Sequence, residues 1–294
     1  MDRFLTHPLD RRSALVLGPV VGLAGLLAAC GAGSGPGTGG SAGAAAATTP
    51  AAGPDAALSP ALRALAARAP LCVPTADTTE GPYWFDVDEI RSDLREDRTG
   101  VTARVALRVQ DLGRCGAEPD GAGLPGVAVE IWHCDAAGVY SGYEAGSRAA
   151  AGGPDAPPPP PAPEPGDYTV SRGQYSDGLM EHPRSDARTY LRGAQVTDEA
   201  GFVQFTTVFP GWYTGRAPHI HVRVHRRKRL ALTTQLYLDQ DLTSSVYTAE
   251  PEYRERGLPD TANADNGIYH PSGLTAGQRD DEAVLIALNL GIDR

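Results

Sequence analysis

The stretch VTARVALRVQD at residues 101–111 indicates the type of fold, because apolar and polar side chains alternate along most of it. Alternation with a period of two places the apolar side chains on one face of a β-strand. The stretch VAVEIWH at residues 127–133 repeats this pattern after a series of glycine and proline turn residues. The two stretches together predict an antiparallel hairpin.

Other short segments of the chain have the same character. Four of them predict strands, at residues 190–197, 202–209, 219–224 and 233–238. Helix is predicted only at residues 60–67 and 89–97, whereas residues 282–290 fit either helix or strand. Many short strands separated by turns predict an all-β fold, an antiparallel β-sandwich with long loops and little helix over residues 70–294.

The overall composition supports this fold class and excludes others. The 294 residues include 35 glycines and 25 prolines, far too many for a coiled coil or an all-helical bundle. Acidic residues outnumber basic ones by 36 to 26, giving a net charge of -10. A nucleic-acid-binding protein normally has a basic surface, so nucleic acid is not an expected partner.

The first 30 residues have the composition of a bacterial export signal. Arg11 and Arg12 precede an apolar run at residues 14–29, which is too short to span a membrane comfortably and ends in small residues before Cys30. The paired arginines suggest the twin-arginine route, and the segment resembles a lipoprotein signal with lipidation at Cys30. The prediction is an exported cell-surface or secreted protein, which touches the membrane only through this lipid anchor. An uncleaved anchor is the alternative.

Two low-complexity segments flank and interrupt the predicted domain. Residues 31–69 are rich in glycine, alanine and proline and predict a flexible tether. Residues 147–170 carry a run of prolines and predict a disordered insertion within the domain.

The motif GWYTGRAPHIH at residues 211–221 contains the best candidates for metal ligands. His219 and His221 are two residues apart, so on a strand they share a face with Cα atoms about 6.6 Å apart and can reach one ion. A lone pair of this kind also occurs on solvated strand faces. His225 lies about 13 Å beyond His221 and is therefore assigned to a solvated basic run at residues 225–229.

Several separated motifs, in this order, resemble those of the intradiol ring-cleavage dioxygenases. They are TEGPY at 79–83, EIWH at 130–133 followed by GVY at 138–140, LRG at 191–193, VTD at 196–198, FPGWY at 209–213 and HIH at 219–221. The resemblance extends from Cys72 to the C-terminus and is interrupted by the proline-rich insertion. The ordered set is far more specific than any one of its members.

The resemblance implies one non-haem Fe(III) ion per chain. Its ligands would be Tyr140, Tyr213, His219 and His221, with Tyr143 as the rival for the first tyrosine position. Phenolate oxygens are hard donors that suit ferric iron, and imidazoles complete such a site.

The resemblance also implies a reaction and the roles of further residues. Catechol-type aromatic rings would be cleaved between the two hydroxylated carbons, with both atoms of O2 entering a muconate-type dicarboxylate. Arg216 and Tyr213 would be catalytic, and the substrate would contact Gln235, Gly81, Pro82 and Tyr83. The partners are thus a small aromatic diol and O2; catechol, protocatechuate, hydroxyquinol and larger diols all remain open, as does the oligomeric state.

Two other functions are compatible with parts of the sequence. The first is a different extracellular metalloenzyme that uses His219 and His221 with a carboxylate. The second is a non-catalytic β-sandwich that binds a ligand, with the histidines on a solvated strand.

The cysteines other than Cys30 allow at most one intramolecular disulfide. Cys115 and Cys134 lie near opposite ends of the predicted hairpin, too far apart to be bridged. The expected pair is Cys72 with Cys134, because both flank segments that should approach the iron. The alternative is that all three are reduced.

Overall fold

The structure is a computed structural model that describes residues 58–69, 71–116, 122–152 and 157–293. The predicted export signal, Cys30 and the tether up to residue 57 lie outside these described residues. Within them, no helix combines the length and apolar character needed to cross a membrane.

Ten strands and four short α-helices make up the described domain. The strands are β1 Thr102–Asp111, β2 Ala128–Trp132, β3 Thr169–Arg172, β4 Asp177–Glu181, β5 Arg192–Val196, β6 Phe202–Val208, β7 His219–Arg226, β8 Arg229–Tyr237, β9 Ala276–Arg279 and β10 Val284–Ile292. The helices are α1 Pro60–Ala66, α2 Glu144–Ala151, α3 Gln240–Ala249 and α4 Pro251–Arg254.

Eight of these strands form two four-stranded sheets, and the predicted all-β class is confirmed. One sheet has the order β6-β1-β10-β9 and the other the order β5-β2-β7-β8, while β3 and β4 form a separate hairpin. Neighbouring strands are antiparallel except β1 and β10, which are parallel. Val105 and Ile286 from the first sheet belong to the same buried core as Ile131 and Val222 from the second. The hydrophobic core therefore lies between the two sheets.

The predicted hairpin of β1 with β2 is wrong. β1 pairs with β6 and β10, whereas β2 pairs with β5 and β7 in the other sheet. Both strands present one apolar face to the same core, but from opposite sides of it. Alternation identifies the buried face of a strand and does not identify its neighbour.

The helix predicted at residues 89–97 is wrong, and the C-terminal segment that fits either helix or strand is a strand. Residues 89–97 are not helical, because Ile90 and Asp93 form isolated bridges with Ala194 and Thr206. The ambiguous C-terminal segment is strand β10, buried along its whole length.

Helix α1 confirms the helix predicted at residues 60–67 and extends the domain beyond its predicted boundary. Ser59 caps the helix by accepting a hydrogen bond from the backbone N–H of Leu62. Leu62 and Leu65 are buried in a cluster that also contains Ala106 and Leu285 of the first sheet. The packed domain therefore includes residues 58–66, which precede its predicted boundary at residue 70.

Regular structure occurs in the insertion that the composition predicts to be disordered. Helix α2 covers its first residues, a 3-10 turn lies at Pro165–Asp167, and β3 begins at Thr169. The Ser147 hydroxyl donates to the carbonyl of Tyr143 and accepts from the backbone N–H of Tyr140. The start of the insertion is thus bonded to the loop that carries a candidate ligand.

The expected disulfide between Cys72 and Cys134 is wrong, since Cys72 is bonded to Cys115 with a Cα–Cα distance of 5.6 Å. Pro74 forms a parallel bridge with Gly291 near the C-terminal end of β10. This bridge places Cys72 at the same end of the sheet as Cys115, which comes shortly after β1. Cys134 is a buried free thiol that follows β2 in the other sheet. The pairing depends on where residues 72–74 run, which their own sequence does not reveal.

Replacing Cys72 by serine should lower the free energy of unfolding by about 2–4 kcal/mol, because the disulfide closes a long loop in the unfolded chain. The two cysteines are separated by 43 residues. Urea unfolding of the oxidised protein would measure the loss, with Cys134→Ala as a variant that keeps the crosslink. Equal unfolding midpoints for wild type and Cys72→Ser would contradict the prediction.

Candidate metal centre and active site

Strand β7 divides its side chains between the core and a second buried face. Ile220 and Val222 enter the core between the sheets. The alternate residues His219, His221 and Arg223 point to the other side of the sheet and are also buried. Because these polar residues are buried, other segments must cover this side of the sheet. The segment at residues 79–85 and the loop at residues 135–143 do so.

Strand β8 places two polar side chains beside the histidines. In the antiparallel register His219 lies opposite Tyr237, and His221 lies opposite Gln235. Directly opposed residues share a face, so the four side chains form one patch. Gln235 and Tyr237 are both fully buried there.

Two tyrosines from different loops complete the cluster around the histidines. The Nε2 atoms of His219 and His221 are 3.1 Å apart. Tyr140 Oη lies 3.2 Å from Nε2 of His221, and Tyr213 Oη lies 3.3 Å from Nε2 of His219. Donor atoms that share one ion at about 2.1 Å are expected to be about 3 Å apart, so this spacing fits a single metal ion.

The histidines are in the form that can bind a metal. Nδ1 of His219 lies 2.6 Å from the carbonyl oxygen of Ala217, so it carries the proton and leaves a lone pair on Nε2. Burial, with the charge of Arg216, lowers the pKa of His219 to about 3. Burial also lowers the pKa of His221 well below its usual value. Both imidazoles are therefore neutral at physiological pH.

The tyrosines are protonated unless a cation is present. Burial raises the pKa of Tyr140 far above its ordinary value and that of Tyr213 to about 12. Two phenol oxygens against two neutral imidazole nitrogens in a buried site are a donor set suited to a hard trivalent cation, which would favour the phenolates. Among the described residues there is no metal-site grouping of three or more histidine, cysteine, aspartate or glutamate residues. A metal ion in this cluster would therefore need the tyrosine oxygens as ligands in addition to the two histidines.

Tyr143, the rival for the first tyrosine position, is directed away from the cluster. Its hydroxyl lies 3.0 Å from the carbonyl oxygen of Trp84 and 2.8 Å from that of His182. Tyr140 instead contacts His221, so Tyr140 is the member of the candidate metal centre.

Two glycines allow the tyrosine-bearing loops to approach each other. Gly138 has a φ of +83°, and a Cβ at this position would overlap the carbonyl of Trp212, next to Tyr213. A Cβ at Gly211 would overlap the carbonyl of Ala136 in the opposite loop. Tyr140 and Tyr213 thus meet because neither loop carries a side chain at the crossing point.

Gly138→Ala should lower kcat by at least about tenfold and weaken metal retention, because the loops must separate and move the tyrosines away from the histidines. Gly178 is the matched control, since its φ of +77° gives the same backbone strain while nothing lies within 4 Å of an added Cβ. Steady-state kinetics and metal content would be measured for both variants. Equal kinetics for Gly138→Ala and Gly178→Ala would show that the close approach is irrelevant.

Arg216 belongs to a hydrogen-bonded group at the edge of the cluster. Its guanidinium donates to Gln235 Oε1, to Asn266 Oδ1 at 3.2 Å and to Tyr213 Oη at 3.5 Å. Gln235 Oε1 also accepts from the Tyr237 hydroxyl at 2.9 Å. A positive charge is therefore held beside the tyrosine oxygen.

The predicted substrate-binding segment Gly81, Pro82 and Tyr83 borders the cluster. A Cβ at Gly81 would lie 3.5 Å from the His221 ring. The half-buried Tyr83 ring is 4.8 Å from the ring of Tyr140. The structure thus brings this segment, called the entrance segment below, beside the candidate metal centre.

Arg192 is a positioning residue to which the sequence pattern assigns no role. It is buried, and its guanidinium donates to the carbonyls of Tyr83 and Ser141 and to the Ser141 hydroxyl. It thereby ties the entrance segment to the residue after Tyr140. Arg192 lies in the LRG motif, but one sequence does not indicate which carbonyls a buried arginine will bind.

Tyr237 and Asn266 are also missing from the sequence-based site. Tyr237 follows Gln235 by two residues on the same strand, so the same-face rule that pairs the histidines could have identified it. Asn266 comes from a distant loop and carries no such signal.

The assignment of His225 to a solvated run is wrong, although His225 is not part of the metal cluster. It is buried, and its Nε2 lies 3.1 Å from Oε2 of Glu130. Trp84 and Tyr175 also donate to this carboxylate. The basic composition of residues 225–229 predicts a solvated strand. His225 is nevertheless buried, because the segment at residues 79–85 covers this side of β7.

Comparisons with known proteins agree with this arrangement. No protein-family model matches the chain. The solved structure of an intradiol ring-cleavage dioxygenase from Tetranychus urticae is 29% identical to the chain, with 76% of this chain and 95% of that chain covered and a TM-score of 0.59. A second solved dioxygenase is also 29% identical, with the same coverage and a TM-score of 0.57. In fold and in sequence, the chain is therefore similar to solved intradiol ring-cleavage dioxygenases.

Proposed function

We propose that the protein is a non-haem Fe(III) dioxygenase that cleaves catechol-type rings between the two hydroxylated carbons. Both atoms of O2 enter the product, a muconate-type dicarboxylate, so the reaction needs no external reductant. The observation that carries the proposal is the buried cluster in which each of two facing histidine nitrogens lies within 3.3 Å of a tyrosine oxygen.

Tyr140, Tyr213, His219 and His221 would hold the iron. When bound, ferric iron supplies a Lewis acid that takes the substrate as its dianion and makes the ring reactive toward O2. Burial of the cluster excludes water and strengthens the electrostatic interactions within it.

The two tyrosines differ in exposure, which assigns them different tasks. Tyr140 is fully buried, whereas Tyr213 is half-buried beside Arg216. A catechol must lose its hydroxyl protons to bind as a dianion, and Tyr213 Oη can accept one of them.

Arg216 would stabilise negative charge that develops on the substrate. Its guanidinium is fixed by Gln235 and Asn266 before the substrate arrives. Such a preorganised cation does not have to reorient during the reaction. Gln235 is itself held, since its side-chain amide donates to the Thr79 carbonyl at 2.8 Å.

Mass spectrometry of the product formed from catechol under 18O2 tests the proposed reaction. The expected product is a muconate that contains two 18O atoms. A ring-opened aldehyde would indicate cleavage outside the diol carbons, and incorporation of only one labelled atom would indicate a monooxygenase; either result would overturn the proposal.

We propose further that the protein is exported and anchored by a lipid on Cys30. The disulfide between Cys72 and Cys115 supports an oxidising compartment. Cell fractionation with a radiolabelled fatty acid would test this, with Cys30→Ala as the comparison. The expected result is a labelled membrane-associated wild type and an unlabelled variant; absence of label from the wild type would refute lipidation.

A further inference from the structure

A cavity of about 650 Å³ adjoins the entrance segment, and the reaction proposed above does not use it. Pro82 and Tyr83 line one part of the cavity, and helix α2 contributes Gly146, Ala149 and Ala150. Its size lies within the range of sites that bind small organic ligands, about 300–1,000 Å³.

The lining of the cavity is mainly apolar and contains flat rings. Tyr83, Tyr143 and Tyr168 contribute aromatic rings, and residues 159–163 of the insertion contribute four proline rings. His182 and Arg184 supply polar groups. Stacked and edge-on contacts with such rings favour a planar aromatic ligand over a flexible aliphatic chain.

Tyr83 connects the cavity with the metal centre. Its ring lies 4.8 Å from that of the candidate ligand Tyr140 and 5.2 Å from that of Tyr143. Both Tyr83 and Tyr143 line the cavity. The Tyr83 ring therefore borders both the cavity and the candidate ligand Tyr140.

We propose that this cavity is a subsite for an aryl substituent, so that the substrates are catechols bearing a second aromatic ring. The inference rests on the proposed function and specifies its substrate class. Because one wall is residues 159–163, the subsite is built partly by the proline-rich insertion of this chain.

Helix α2 offers a matched pair of variants that separate filling of the cavity from disturbance of the helix. Ala149 is half-buried and lines the cavity, so Ala149→Phe would occupy the subsite. Ala145 is exposed on the same helix and does not line the cavity. Ala145→Phe therefore introduces the same side chain outside the subsite.

Anaerobic calorimetric titration of the iron-loaded protein with catechol and with 4-phenylcatechol tests the inference. The wild type and Ala145→Phe should bind 4-phenylcatechol at least about tenfold more tightly than catechol. Ala149→Phe should lose this preference while its affinity for catechol stays unchanged, which also shows that the variant is folded.

The outcomes separate the two proposals. Tight binding of catechol without a preference for 4-phenylcatechol in the wild type, or an unchanged preference in Ala149→Phe, would overturn the subsite alone. Failure of the iron-loaded wild type to bind either diol would overturn the proposed function and the subsite with it.

Discussion

Replacing His221 by alanine should abolish ring cleavage and weaken iron binding by at least about 100-fold. The side chain would supply one of the four proposed donor atoms. On the scale of structural zinc sites, worth about 10–16 kcal/mol with four ligands, one ligand contributes roughly 3 kcal/mol. Nε2 of His221 is central to the cluster, since it lies 3.1 Å from His219 and 3.2 Å from Tyr140. Iron content after dialysis and steady-state kinetics would measure both effects.

His270→Ala is the control for this experiment. His270 is exposed and bonded to Ser272, so its loss should affect neither iron content nor kcat. Circular dichroism would establish that both variants are folded. A folded His221→Ala protein with wild-type iron content would contradict the assigned ligand set.

Arg216→Met should leave iron bound but lower kcat by about 100–1,000-fold, the range seen when a preorganised electrostatic group is removed. The substitution keeps most of the side-chain length and removes the charge beside Tyr213 Oη. Because Arg216 is not a ligand, iron content should match that of the wild type. Stopped-flow and steady-state kinetics would measure the effect.

Arg229→Met removes an exposed charge on the adjacent strand and should leave kcat unchanged. If Arg216→Met retained full activity, or if both variants lost activity equally, Arg216 would have no specific electrostatic role. A fall in iron content for Arg216→Met alone would indicate instead that it maintains the ligand geometry.

The sequence predicts the faces of strands better than their neighbours. Alternation in residues 101–111 and 127–133 identifies two strands with one core face each, and both are present as β1 and β2. Their partners are chosen by contacts between distant segments, such as the parallel pairing of β1 with β10. The short-range pattern contains no information about these contacts, so the expected hairpin is absent.

The same distinction explains the candidate site. The pair His219 and His221 follows from the strand period, and the ordered motifs add Tyr140 and Tyr213. The structure brings all four together. Spacing could not assign a role to Arg192. Its guanidinium binds the carbonyls of Ser141 and Tyr83, which are 51 and 109 residues away in the sequence. The disulfide partner of Cys72 was missed for the same reason.

The visible absorption spectrum of the iron-loaded protein tests the central claim, that Tyr140 and Tyr213 bind Fe(III) together with His219 and His221. Tyrosinate bound to ferric iron gives a charge-transfer band, so the wild type should be red. Tyr213→Phe should weaken and shift this band, whereas Tyr143→Phe, at a tyrosine bonded to backbone carbonyls, should leave it unchanged. Protein that holds one iron per chain and remains colourless, or a band that survives unaltered in Tyr213→Phe, would contradict the claim.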